Sequence, residues 1–261
     1  MRSRIAILGI AVLLAGCGGT RRNDAASVRE PDTASRLHVA EAAAASGQTD
    51  IALSLYEAAA SAAPDSIEAQ SKYASLLLRV GRPQIAEQVL TKALARNPND
   101  TTLLRWHGVL QLEMGDAAGA LQLFDKLLTR NKRDIAALNG RGMALDLANR
   151  HAEAEQTYRT ALSVAPSDIQ SSNNLAVSLL LSDRAAEARD LLLPISQRAD
   201  VPQRVLNNLA VAQAASGDTR GANALISGKP GSEDIQALAT AFGAPPMGDS
   251  SSPTRAGRPA G

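Results

Sequence analysis

Six alanines recur at a spacing of thirty-four residues: Ala52, Ala86, Ala120, Ala154, Ala188 and Ala222. A fixed period of this length marks a chain built from one stacked unit rather than around a single closed core. Other positions keep the same register. Twelve residues before each alanine stands another small residue: Ala40, Ala74, Gly108, Gly142, Ala176 and Ala210. Between the two lie Gly47, Gly81, Gly115, Asn149, Asp183 and Gly217. These are the residue types that tolerate a positive φ. Four after each alanine comes a large apolar residue: Tyr56, Leu90, Phe124, Tyr158, Leu192 and Ile226. Pro64, Pro98 and Pro166 close units one, two and four. The unit therefore reads as a helix, a tight turn, a second helix and a stop. Small residues on both helices let the two axes approach closely, and each hairpin buries its apolar face only by stacking on the next. Composition agrees. Aromatic residues are only 2% of the chain, too few for a sandwich or barrel, and alanine, the best helix former, dominates.

This pattern of small residue, turn, alanine, large residue and proline resembles the tetratricopeptide repeat (TPR), whose period is also thirty-four. The resemblance covers residues 33–227 as six repeats. It implies an all-α, right-handed solenoid whose first helices line a concave surface. Some positions depart from the pattern. Lys132 and Asp200 stand where repeats three and five expect their closing proline. Pro194 falls inside the second helix of repeat five, where a regular interior would lose about 3 kcal/mol, so that helix is expected to kink or end early. Gly228, Pro230 and Gly231 are expected to stop the last second helix. Within residues 228–261, Glu233 to Phe242 reads as a short capping helix and the Pro/Gly/Ser-rich remainder as a disordered tail.

The chain begins MRSRIAILGIAVLLAGC. Two arginines precede an apolar run too short to span a bilayer as a stable helix. Leu14-Ala15-Gly16-Cys17 then resembles a bacterial lipobox at every position, and Cys17 is the only cysteine in the chain. The resemblance implies a signal peptide over 1–16, removed before Cys17, with lipid on the Cys17 sulfur and on the new amine. Two or more acyl chains give stable anchoring where one gives only marginal binding. Gly18, rather than Asp, favours the outer membrane, which places the protein on the inner leaflet facing the periplasm. Residues 17–32 form a polar tether, whose ends as a flexible coil lie about 20–25 Å apart. Cleavage removes two Arg and leaves 25 basic against 26 acidic side chains.

No enzymatic motif stands out. His38, His107 and His151 lie in different repeats, without the spacing of a metal site such as HExxH. Gly140-Arg141-Gly142 lies inside an expected helix and follows no strand, so it starts no dinucleotide fingerprint. A single Cys leaves no intramolecular disulfide and no multi-cysteine metal site. The formal net charge of +1 gives no basic field, which argues against nucleic acid as a main partner. The expectation is a non-enzymatic protein with no cofactor, no metal and no small-molecule substrate.

The candidate binding residues lie on the concave face. The TPR resemblance implies that the second, fifth, ninth and twelfth residues of each first helix line it, with the sixth beside them. Asn139, Asn173 and Asn207 occupy the fifth position of consecutive repeats, and Asn174 and Asn208 the sixth. An amide both donates and accepts, so it can pair with the backbone of an extended peptide. Other tetratricopeptide arrays use asparagine ladders in this way. The alternative is that these amides hold neighbouring helices together or face water. Arg105, Met143, Asp146, Val177, Leu180 and Val211 are expected to share the groove.

Lipobox, tether, six repeats and a short tail together resemble the TadD-like lipoproteins of Flp/Tad pilus assembly. The stretch LLLPISQRADVPQRVLNNLAVAQAASG, residues 191–217, carries most of that likeness. It implies an outer-membrane-anchored scaffold for protein–protein interaction that helps place or assemble the pilus secretin. A pilotin-like lipoprotein of type IV pili, or an adaptor for cell-wall hydrolases or outer-membrane protein insertion, is the alternative. From another class, an enzyme subunit with an unrecognised active site remains open.

Overall fold

The computed structural model describes residues 32–226, together with Ala237 and Thr240, both helical. The expected signal peptide, the lipidation site and the tether up to residue 31 lie outside the described residues. So does the expected capping helix, those two residues apart, and so does the tail. Six hairpins follow one another. They pair α1 (Thr33–Ala45) with α2 (Thr49–Ala62), α3 (Ile67–Arg79) with α4 (Pro83–Arg96), and α5 (Thr101–Glu113) with α6 (Ala117–Arg130). Then come α7 (Ile135–Leu147) with α8 (His151–Val164), α9 (Ile169–Leu181) with α10 (Ala185–Leu192), and α11 (Gln203–Ala215) with α12 (Thr219–Ile226). Among the described residues there is no strand. Odd-numbered helices pack against one another from repeat to repeat, while even-numbered ones are held mainly through the odd ones. The odd helices therefore form the inner layer of the array.

Local chemistry explains where each helix starts and stops. Asp32, Ser66, Asp100, Asp134 and Asp168 cap the first five odd helices, each accepting a hydrogen bond from the backbone N–H three residues on. Such a cap contributes about 1 kcal/mol over alanine. The turn positions behave as their residue types require. Gly47, Gly81, Gly115, Asn149, Asp183 and Gly217 all have positive φ, between 58° and 95°. Lys132 in place of proline leaves its turn unchanged: Asp134 N–H bonds to Asn131 O at 3.1 Å, as Asp168 N–H bonds to Ala165 O.

The alanines at the thirty-four spacing are all fully buried, at 0% exposure, from Ala52 to Ala222. They form the contact plane between the helices of each hairpin. In the first five repeats the large residue four positions later, Tyr56, Leu90, Phe124, Tyr158 or Leu192, is buried beside them. Phe124 is the clearest case. A Cβ on Gly108 would lie 2.8 Å from its ring, and one on Gly140, in the next repeat, closer still. The ring thus sits in a slot made by two glycines from successive inner helices. Tyr158 sits likewise against Gly142.

Repeat five differs as its proline demands. The helix α10 has 8 residues where α2, α4, α6 and α8 have 14. Pro194 lacks the N–H that a continuing helix needs, and the chain goes on in a short 3-10 turn, Ile195–Gln197. Leu192 stays fully buried just ahead of the break, so the repeat keeps its wedge and loses only the last turns.

The glycine slot is testable. Gly140→Val pushes two methyl-bearing branches into the Phe124 ring and is expected to cost about 1–3 kcal/mol. Phe124→Leu in the same chain should recover part of that loss. Urea unfolding followed by circular dichroism measures both singles and the double. Strict additivity of the two changes would show that the slot is not the contact.

Candidate functional site

The inner face of repeats four to six carries the asparagines singled out above, and the structure divides them. Asn139 and Asn173 are buried. Asn139 Nδ2 donates to Ser171 Oγ at 2.8 Å, and its Oδ1 accepts from Asn174 Nδ2 at 3.2 Å. One repeat on, Asn173 Oδ1 accepts from Asn208 Nδ2 at 2.8 Å. The fifth-position amide of one repeat therefore bonds to the sixth-position amide of the next. Asn207 is half-buried and accepts from Gln203 on its own helix, at 2.9 Å. Arg105 Nη2 donates to Asp134 Oδ2 at 2.9 Å, while its Nε is buried without a partner. Leu180 and Val211 are buried in the C-terminal core and do not open on the groove.

A second polar cluster was not foreseen from the sequence. Asp146 ties three helices together. His151 Nδ1 and Ser178 Oγ approach its Oδ1 at 2.8 and 2.7 Å, and the Tyr158 hydroxyl donates to Oδ2 at 3.0 Å. Burial, then the Asp146 charge and this hydrogen bond, hold the Tyr158 phenol far above the ordinary tyrosine range. Glu155, also buried, accepts from Arg184 at 2.6 Å and Arg159 at 2.9 Å and so ties α8 to the start of α10. The sequence signal for these pins is slight. The partners from the next repeat, Ser178 and Arg184, stand 32 and 29 residues away, close to the repeat length, but only the packing says which pairs meet. His107 pairs with Gln111 on its own helix, and burial lowers its pKa. Among the described residues no cluster of His, Cys, Asp and Glu is suited to a metal ion.

Beside the amide ladder, the inner face opens into a cleft of about 330 Å³ between α7 and α9. Met143, Leu147 and Leu181 form its rim, 43%, 44% and 44% exposed, with Val177 between them. Asp146 and Tyr158 form its floor, and Asn174 stands at its edge. Large apolar side chains left half open on one face mark a surface built to be covered. A larger groove of about 580 Å³ lies in the outer layer between α6 and α8. Its central cation is already engaged: Arg141 bonds to Asp125 and to Thr157, each at 2.7 Å. The inner cleft is the better candidate because its apolar rim has no partner among the described residues.

Models of the tetratricopeptide repeat match residues 43–108, 107–169 and 171–194, together more than half of the chain. The chain belongs to the tetratricopeptide-repeat family. Its fold is similar to that of a tetratricopeptide repeat protein from Parabacteroides merdae, at 19% identity and a TM-score of 0.67, over 80% of this chain and 84% of that one. It is similar to PilW, described as a widely conserved type IV pilus biogenesis factor, at 17% identity and a TM-score of 0.64, over 74% and 90%. It is also similar to pilF of Pseudomonas aeruginosa, at 17% identity and a TM-score of 0.59, over 78% and 96%. At these identities the likeness is one of fold. No curated protein matches this chain.

Two measurements check this account of the inner face. Asn174→Ala with Asn208→Ala leaves the Asn139 and Asn173 oxygens without their partners and should cost about 1–3 kcal/mol in urea unfolding. Asn207→Ala should stay within about 0.5 kcal/mol of the parent. Equal stabilities for all three would remove the ladder from the list of inter-repeat bonds. The second measurement is an alkaline titration. An unfolded tyrosine ionises near pH 10, whereas Tyr158 in the fold keeps its proton well beyond that. Its contribution to stability is therefore complete below pH 10 and is lost as the pH climbs above it. The tyrosinate absorbance of the parent minus that of Tyr158→Phe should stay flat until helicity is lost. An early step in that difference would place the phenol in solvent.

Proposed function

We propose that the protein is a non-enzymatic scaffold that holds an envelope protein on its inner face. It is anchored by lipid at Cys17 to the outer membrane, facing the periplasm, and assists assembly of the Flp/Tad pilus secretion machinery, with the pilus secretin as the partner held. The observation that carries the scaffold reading is the apolar cleft on the inner face of a tetratricopeptide array, left uncovered among the described residues. The pilus reading rests on the lipobox and on the likeness of residues 191–217 to TadD-like lipoproteins. The fold shared with PilW and pilF favours a second reading, a pilotin-like role in type IV pili. In both readings the inner face does the binding and the lipid sets where it happens.

The rim residues and the anchor are tested separately. Met143→Ser with Leu181→Ser removes the apolar rim of the cleft and should weaken partner capture by about ten-fold or more, a loss of about 1.4 kcal/mol. Circular dichroism on the same samples should be unchanged, because both side chains are half open. Partners are recovered from membranes in mild detergent and identified by mass spectrometry. A secretin among them supports the pilus reading, and a cell-wall amidase in its place overturns it. Full capture by the folded double variant would move the site off the cleft. Cys17→Ser should release the chain from membranes, and retention at high salt would remove the lipid anchor.

A further inference from the structure

We infer that the cleft between α7 and α9 receives a lysine or arginine side chain of the docked partner, its aliphatic stem against the rim and its charged head on the Asp146 carboxylate. This rests on the reading of the inner face as the binding surface and specifies the chemistry that surface selects. The cleft joins two features that few side chains satisfy together. Its rim is apolar: Met143, Leu147 and Leu181. Its floor is a carboxylate whose side chain is only 12% exposed.

An apolar side chain in this cleft would strip the remaining water from Asp146 and offer no bond in return, which is unfavourable for a charged group. An acidic side chain would be repelled. A short polar one would leave the rim uncovered. Lysine and arginine carry a methylene stem and a charged tip in one side chain, and they lay the first along apolar surface while the second finds a polar partner.

The floor has acceptors to spare. An ionised carboxylate presents about four lone-pair sites. Asp146 fills two at Oδ1, from His151 and Ser178, and one at Oδ2, from Tyr158. Asn174 donates its amide N–H to Asn139, and among the described residues its Oδ1 accepts no hydrogen bond. Two oxygens thus stand ready for the several N–H groups of an ammonium or guanidinium. Among the described residues no lysine or arginine lines the cleft to take that place. Asp146 is, among the described residues, its one acidic or basic side chain apart from the Tyr158 phenol, which burial keeps neutral.

Three blocked leucine/alanine peptides, alike except for a central lysine, norleucine or glutamate, provide the test. Each carries a fluorophore and is titrated against the full chain in mild detergent, with anisotropy as the readout. The lysine peptide should bind about ten-fold more tightly than the norleucine peptide, the scale of one charge-assisted hydrogen bond, and the glutamate peptide should bind weakest. Asp146→Asn should bring lysine and norleucine to parity, and Asn207→Ala, outside the cleft, should keep them apart. Should Asp146→Asn fail to fold, the ratio on the parent protein decides alone. Equal binding of the lysine and norleucine peptides overturns this inference and leaves the inner-face reading standing. Binding of none of the three, or binding untouched by Met143→Ser with Leu181→Ser, overturns both.

Discussion

How closely two helices approach decides everything else in this array. Each hairpin carries a fully buried alanine, and in the first five the large residue four positions beyond it is buried as well. For two of the three aromatic ones, glycine is the complement. Phe124 lies against Gly108 and Gly140, and Tyr158 against Gly142. Interiors packed at near-crystalline density cannot absorb extra carbons without moving backbone. Small residues at these positions are therefore a requirement of the stacking, and their recurrence reflects a contact made again in every unit.

In the C-terminal half, polar side chains join the repeats in addition to the apolar core. Asn139 meets Ser171 and Asn174, Asn173 meets Asn208, Asp146 meets His151, Tyr158 and Ser178, and Glu155 meets Arg159 and Arg184. Buried polar groups are costly when unpaired and neutral to favourable when paired, so such seams penalise every register except one. The N-terminal repeats have their own continuous apolar core running from Leu37 to Leu110, with Tyr56, Tyr73 and Trp106 packed in or against it. Their inner face shows surface ion pairs such as Lys72 with Glu41, which contribute little.

The cleft follows from the same geometry. Tyr158 must reach Asp146 beneath α7 and α9, and this leaves the rim residues Met143, Leu147 and Leu181 standing over a polar floor. A groove whose edges are apolar and whose base holds an oxygen acceptor distinguishes partners by chemistry as well as shape, because an ill-matched side chain leaves a buried group unsatisfied.

Much of this was legible in the chain itself. The period, the six turn residues and the early end of α10 at Pro194 all follow from demands that act within a single unit: small size at a contact, positive φ at a turn, a missing N–H in a helix. The N-caps at 32, 66, 100, 134 and 168 keep the same period and were equally open to reading. Which amides are engaged was not legible. Asn139, Asn173, Asn174, Asn207 and Asn208 look alike in sequence, yet two are buried in the seam and one bonds only to its own helix. Asp146 could be placed on the inner helices but not seen as the meeting point of α7, α8 and α9. Residue types and their spacing determined the unit and its repetition, because those rest on local backbone preference and side-chain size. The tertiary structure alone decided which polar groups are taken by a neighbouring repeat and which face is left open, because partners 32 to 35 residues apart meet only through the rotation of one repeat against the next.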